Sequence, residues 1–230
     1  MAETRPAAFC ERLRLAALPI WERQMAHPFV QGLGDGSLPR EVFEFYIRQD
    51  AIFLDELTKT FAYATTKTSD PDEMQRFGEL LLNTLAVEKA LHQQYGARFG
   101  LSVEQMRATP MAPTNYAYTR HLLYIAATGS LAALLTSILP CAWIYAQVGA
   151  HFSQVLGGDL GAEHPYGDWI GTYSSPAFEE VGAWLRERLN HHAAALPEHA
   201  LQDLEQIFLT SSRYELMFWR MAWDREAWPA

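Results

Sequence analysis

The chain has 230 residues, enough for one sizeable domain, and 49% hydrophobic content with seven Trp supplies a large core. A formal charge of −9 without any basic run excludes a general nucleic-acid surface, which needs clustered Lys and Arg. Two cysteines, Cys10 and Cys141, exclude a disulfide framework, and with no apolar leader in MAETRPAAFCERLRL the expected compartment is the cytoplasm.

The first predicted helix covers Ala8–Met25, with Phe9, Leu13, Ala17, Ile20 and Trp21 at helical spacing. HPFVQGLGDGSL follows and reads as a Gly-rich turn that tucks Phe29 into the core. Ser37 offers an N-cap, with Pro39 and Glu41 in the first turn of the next helix. Its face carries Phe43, Tyr46, Ile47, Asp50, Phe53, Leu54 and Leu57, so Asp50 is an acid within an aromatic stripe. Ser69-Asp70-Pro71 ends that helix and starts another, with Phe77, Leu80, Leu81, Thr84, Leu85, Glu88, Leu91 and His92 along it. Gly100 closes it, and Ser102 with Gln105 makes a capping box. After Pro110 and Pro113, Thr114 or Asn115 can cap a helix bearing Tyr118, His121, Leu122 and Ile125.

Gly129-Ser130 precedes the most apolar stretch, Leu131–Tyr145 (LAALLTSILPCAWIY). No Asp, Glu, Lys or Arg occurs between Leu122 and Ala150, which is long enough to span a bilayer. Gly129, Pro140, Thr136, Ser137 and Gln147 interrupt it, and flanking basic anchors are missing, so a buried central helix is expected and no membrane. Beyond lie the segment HPYGDWIGTYSS, a helix from Pro176 to His192, and a last helix from Pro197 towards Trp223. On the last, Leu204, Ile207, Phe208, Ser211, Glu215, Phe218, Trp219 and Ala222 share a stripe, which makes Glu215 the second acid on an apolar face. With no period-two alternation, repeat or linker, residues 1–230 are expected to form one all-α domain, a bundle of about eight helices with its core over about 8–223.

Three chemistries fit the polar residues on these faces. Glu88 and His92, one turn apart, with His121 on another helix, could ligate iron, although a second Glu-x-x-His pair is missing; a hydrogen-bonded Glu–His pair is the plainer reading. Cys141, with Asp50 and Glu215 as acids, could act as a nucleophile, because a thiol needs its proton taken and a buried carboxyl titrates nearer neutrality. Phe53, Tyr118, Tyr145 and Tyr173 would then border a flat heterocycle. A thiol on an apolar stripe can also be inert packing. The third possibility is a bundle that binds a ligand without turning it over.

HPFVQGL, FYIRQDAIFL, NYAYTRHL, LPCAWIY, WIGTYSSPAF and SSRYELMFWRMAW, in this order, resemble the TenA family, also called thiaminase II, in the TENA/THI-4/PQQC superfamily. The resemblance implies a haem-oxygenase-like helical fold and an aminopyrimidine aminohydrolase of thiamin salvage. Such an enzyme converts 4-amino-5-aminomethyl-2-methylpyrimidine, or thiamin, to the hydroxymethylpyrimidine. It places the chain in the cysteine-containing branch, with Cys141 as nucleophile, Asp50 bonding the ring nitrogen and 4-amino group, and Glu215 exchanging a proton on the other side. Tyr118, Tyr145, Tyr173 and Phe53 are expected to line the pocket, with Tyr166 the alternative to Tyr173. No metal or cofactor is implied, the partner is a small pyrimidine, and a homotetramer is expected. The alternatives remain a non-haem iron oxygenase of the same fold and a non-catalytic pyrimidine-binding module.

Overall fold

A computed structural model describes residues 8–229 except 101, 103, 106, 107 and 158–163; for residues 87–97 it describes only the helical backbone. Among the described residues there is no strand. The helices are α1 (Phe9–Met25), α2 (Pro28–Asp35), α3 (Arg40–Thr65), α4 (Pro71–Phe99), α5 (Pro113–Thr128), α6 (Leu131–Val155), α7 (Gly167–Tyr173), α8 (Pro176–Ala193) and α9 (Glu198–Asp224). The chain divides into two units: Met1–Ala26 with Leu135–Leu216, and His27–Leu134 with Met217–Ala230.

In the first unit α1 turns Leu13, Ala17 and Trp21 inward, as its spacing predicts. The Trp21 ring meets Trp143 of α6 edge-on at 5.2 Å and Phe208 of α9 at 6.1 Å, so one indole joins three helices. Its N–H donates to Ser212 Oγ at 3.4 Å, and Gln24 Nε2 donates to the Ser212 carbonyl at 3.2 Å, which removes the cost of burying those polar groups. On α8, Asn190 Oδ1 accepts from Cys10 N–H at 2.9 Å, and the Arg186 guanidinium lies 4.9 Å from the Trp143 ring centre. Among the described residues, α6 is the one helix long and apolar enough to cross a membrane, and 83% of its apolar window is buried within the protein.

In the second unit the HPFVQGLGDGSL stretch is helical from Pro28 to Asp35, where a turn is expected from its glycines. His27 caps it, its Nδ1 accepting from Phe29 N–H at 3.2 Å, and Gly36 ends it at φ 81. Gly32 serves close packing: a Cβ there would meet the Leu38 backbone at 3.1 Å. Phe29 does enter the core, between Tyr46 at 5.1 Å and Trp219 at 5.3 Å.

Two expected caps are not used. Pro39 rather than Ser37 is the N-cap residue of α3, and Ser37 N–H instead donates to Asp35 Oδ1 at 2.9 Å. At α5 the N-cap is Ala112, and the Thr114 N–H is taken by Glu226 Oε2 at 2.9 Å from the chain's other end. A carboxylate at a helix N-terminus satisfies the orphan donors and opposes the helix dipole as well as a local cap does. The local signals hold elsewhere. Asp70 Oδ1 accepts from Asp72 N–H at 2.9 Å, Gly100 takes φ 72 after α4, and Ser102 and Gln105 cap each other reciprocally at 2.8 and 3.2 Å.

α3 and α5 run parallel, joined by four successive rungs. Gln49 bonds Asn115, the Phe53 and Tyr118 rings lie 5.1 Å apart, Arg120 pairs with Glu56, and Lys67 Nζ donates to the Gly129 carbonyl at 2.7 Å. Both numbers rise together along the rungs, which is what parallel helices require.

Candidate active site

The expected site residues fall in both units: Cys141, Tyr145, Tyr173 and Glu215 in the first, Asp50, Phe53 and Tyr118 in the second.

Cys141, Tyr145 and Gly149 follow at four-residue intervals on α6 and so share one face. Cys141 is half-buried. Pro140, directly before it, has no N–H for the helix ladder. At Gly149 the end of α7 comes so near that a Cβ would lie 2.5 Å from the Tyr173 carbonyl carbon and 2.7 Å from Ser174 N. The glycine therefore lets Tyr173 reach Tyr145, and their ring centres stand 4.9 Å apart at 61°. Trp169 fills the remaining side, 5.7 Å from Tyr145 and 4.4 Å from Tyr173, and Phe178 closes edge-on at 4.9 Å. Tyr173 is thus the ring beside Tyr145, while Tyr166 packs by His164 at 6.4 Å as the residue before α7.

Glu215 is 2% exposed on α9, one turn beyond the buried Ser211 and Ser212. The second thiol, Cys10, is buried, and burial pushes it up to about 12 against the lowering pull of the Arg186 charge. Its Sγ bonds the Arg186 carbonyl at 3.4 Å. A thiol that resists ionisation is a poor nucleophile, which leaves Cys141 as the candidate.

In the second unit Asp50 is 4% exposed, and burial pushes its carboxyl from 3.8 up to about 7. Both protonation states are then accessible near neutral pH, the property wanted in a group that gives and takes a proton. Phe53, one turn on, packs at a tilt of 33° against Tyr118 at 5.1 Å and meets Phe218 at 5.6 Å. Sequence reasoning overlooked the side chain before Asp50. Gln49 is fully buried and bonds Asn115, Ala112 and Pro110. Two amides on apolar faces were the signal, but Asn115 read as a cap.

Among the described residues no group of three or more His, Cys, Asp or Glu side chains is placed to hold a metal ion. The Glu88–His92 pair of the iron reading lies outside the described side chains, and His121 is a part-buried imidazole whose pKa burial lowers.

The TENA/THI-4/PQQC family model matches residues 15–225, nearly the whole chain. The protein belongs to that family. It is 41% identical over 222 residues to the aminopyrimidine aminohydrolase of Halalkalibacterium halodurans, with 96% of this chain and 98% of the relative covered. Among solved structures, a TenA homologue protein from P. horikoshii OT3 superposes with a TM-score of 0.86 at 30% identity, covering 95% of this chain and 99% of that one. A domain with a heme oxygenase-like fold from Shewanella denitrificans superposes with a TM-score of 0.73 at 14% identity, covering 94% and 92%. The all-α, haem-oxygenase-like fold expected of a TENA/THI-4/PQQC member is therefore the fold of this chain.

Proposed function

We propose that this family member is an aminopyrimidine aminohydrolase with thiaminase II activity. It hydrolyses 4-amino-5-aminomethyl-2-methylpyrimidine to the 5-hydroxymethyl compound and ammonia, and accepts thiamin with the thiazole as leaving group. The observation that carries the reading is the setting of Cys141: a half-buried thiol one turn from an aromatic corner made by Tyr145, Tyr173 and Trp169. Two aromatic faces and a thiol suit a flat, electron-poor ring better than an aliphatic substrate.

The chemistry follows from what each group can do. The Cys141 thiolate adds to an electrophilic ring carbon, and the electron pair displaced goes to a ring nitrogen, where a carboxylic acid supplies a proton. Electron density then returns from the ring to expel the amine from the exocyclic methylene, the leaving nitrogen taking a proton. Water adds to that methylene and loses a proton, and the C–S bond breaks to restore the aromatic ring and the thiolate. The net change is amine plus water to alcohol plus ammonia, with no redox step and no cofactor. Asp50, poised near 7, recognises the ring nitrogen and 4-amino group, and Glu215 exchanges the proton at the other nitrogen. Tyr118, Tyr145, Tyr173 and Phe53 border the ring, Phe53 by contact alone because it has no hydroxyl.

The same reading assigns the protein to thiamin salvage in the cytoplasm as a homotetramer, with no nucleic-acid or membrane partner. Supporting the compartment are the two free thiols and the acidic balance of −9. Product formation from the aminomethylpyrimidine and from thiamin, wild type beside Cys141→Ala, tests the activity. Cysteine-dependent release of hydroxymethylpyrimidine is expected; an equally active Cys141→Ala protein would refute the nucleophile. Light scattering on the eluting species tests the tetramer.

A further inference from the structure

Gln49 directly precedes Asp50 on α3, and its side chain is used at both ends. Its Oε1 accepts from Ala112 N–H at 2.9 Å and from Asn115 Nδ2 at 3.0 Å, and its Nε2 donates to the Pro110 carbonyl at 2.9 Å. Asn115 Nδ2 also donates to the Gln49 backbone carbonyl at 2.8 Å. These bonds decide which way each amide points: a main-chain N–H demands the Gln49 oxygen and a main-chain carbonyl its nitrogen, so Asn115 must present its NH2 to α3. Asn115 Oδ1 is buried without a hydrogen-bond partner, so the amide is held by its donated bonds. On the α3 side this one side chain holds the loop entering α5 and the first turn of α5.

One turn further along both helices stands the Phe53–Tyr118 contact. Ring contacts are tolerant of sliding, whereas hydrogen bonds weaken steeply with distance and angle. The aromatic rung supplies area between α3 and α5, and the buried amide rung sets their register beside it, while the Arg120–Glu56 and Lys67–Gly129 rungs lie further along and are more exposed. Because a helix is stiff over one turn, that register also sets where Tyr118 stands relative to Phe53 and to the residue next to Gln49, which is Asp50.

We propose that Gln49, with Asn115, is a positioning pair for substrate recognition: it locks the register of α5 on α3 and so places Tyr118 with Asp50 and Phe53 for the pyrimidine. The inference rests on the substrate-facing roles given to those three residues under Proposed function. Neither amide need touch the substrate.

The test compares kcat and KM for 4-amino-5-aminomethyl-2-methylpyrimidine in wild type, Gln49→Met and Gln49→Glu, with folding followed by circular dichroism. Gln49→Met keeps the length of the side chain and loses its three side-chain bonds, leaving only the Asn115 bond to the main-chain carbonyl. A displacement of about 1 Å at a reacting group costs on the order of 100-fold, so a fall in kcat/KM of that order in folded protein is expected, with KM raised. Gln49→Glu keeps an acceptor for Ala112 and Asn115 and replaces the donor to Pro110 by a carboxyl oxygen that bonds that carbonyl only when protonated; its activity should fall between wild type and Gln49→Met. A purely structural role predicts a lower Tm while kcat and KM of the folded protein stay within about twofold of wild type, and that result overturns the proposal. If Gln49→Met does not fold, Asn115→Ala, which removes both donated bonds without setting a carboxylate against the Gln49 oxygens, takes its place with the same expectations. Wild type inactive on this substrate would overturn the proposed function and the positioning role with it. Active wild type with unaltered variants overturns the positioning role alone.

Discussion

Replacing Asp50 by Asn separates what this carboxyl costs the fold from what it contributes to the reaction. Asp50 lies on the apolar face of α3, and burial pushes its carboxyl from 3.8 up to about 7. A carboxyl with a raised folded pKa holds its proton more tightly in the fold than in the unfolded chain. Stability is therefore lost as pH rises from the unfolded value through the folded one, and the whole penalty stands above that. With 1.36 kcal/mol for each pH unit, the interval from 3.8 to about 7 corresponds to roughly 4 kcal/mol at alkaline pH. Asn has nearly the same shape and cannot ionise, so Asp50→Asn should escape the penalty. For a chain of this size about 2–4 °C of Tm follows each kcal/mol, so the variant should melt on the order of 10 °C above wild type near pH 8.5. Near pH 5 the unfolded carboxyl has already ionised and roughly 1.6 kcal/mol of the penalty stands, so the gap should shrink to about 3–7 °C, and it should close only below the unfolded value of 3.8. Thermal denaturation of both proteins across that range is the assay, with hydrolysis measured alongside and expected to be lost in the variant. A gap that does not widen with pH, or a variant that melts lower at alkaline pH, would refute the reasoning, because the ionised carboxylate would then have a compensating partner in the fold.

Gly149→Ala should raise KM by on the order of tenfold or more while the protein remains folded, since a Cβ at 2.5 Å from the Tyr173 carbonyl carbon must push that residue away from Tyr145; an unchanged KM would show that Tyr173 does not border the substrate. Iodoacetamide at neutral pH followed by peptide mass mapping should label Cys141 and leave Cys10 unmodified until the protein is unfolded, because burial pushes the Cys10 thiol up to about 12. Rapid labelling of Cys10 in native protein would contradict its burial.

Much of the helical architecture was legible because helix periodicity and punctuation are local. Asp70, Gly100 and the Ser102–Gln105 box act within a few residues, and each operates where the pattern puts it. The cap of α5 was hidden for the opposite reason: Glu226 reaches Thr114 from more than a hundred positions away. The glycines of HPFVQGLGDGSL misled because composition does not distinguish a glycine that turns the chain from Gly32, which lets the Leu38 backbone approach a helix.

The candidate residues divide along the same line. Periodicity puts Asp50, Cys141 and Glu215 on apolar stripes, and the motifs of the family give a reason why such residues stand there. It is silent on which ring meets which. Tyr173 rather than Tyr166 stands beside Tyr145 because Gly149 has no side chain to hold α7 away, a fact of three elements at once. Gln49 reads as an ordinary polar residue until Pro110, Ala112 and Asn115 are brought around it. By itself the sequence determined the long helices and which face of each is buried, because those depend on neighbours a turn or two away. The tertiary structure alone decided the register of α5 on α3, the raised titration of Asp50 and the inertness of Cys10, because hydrogen-bond geometry and desolvation depend on what other helices place around a group.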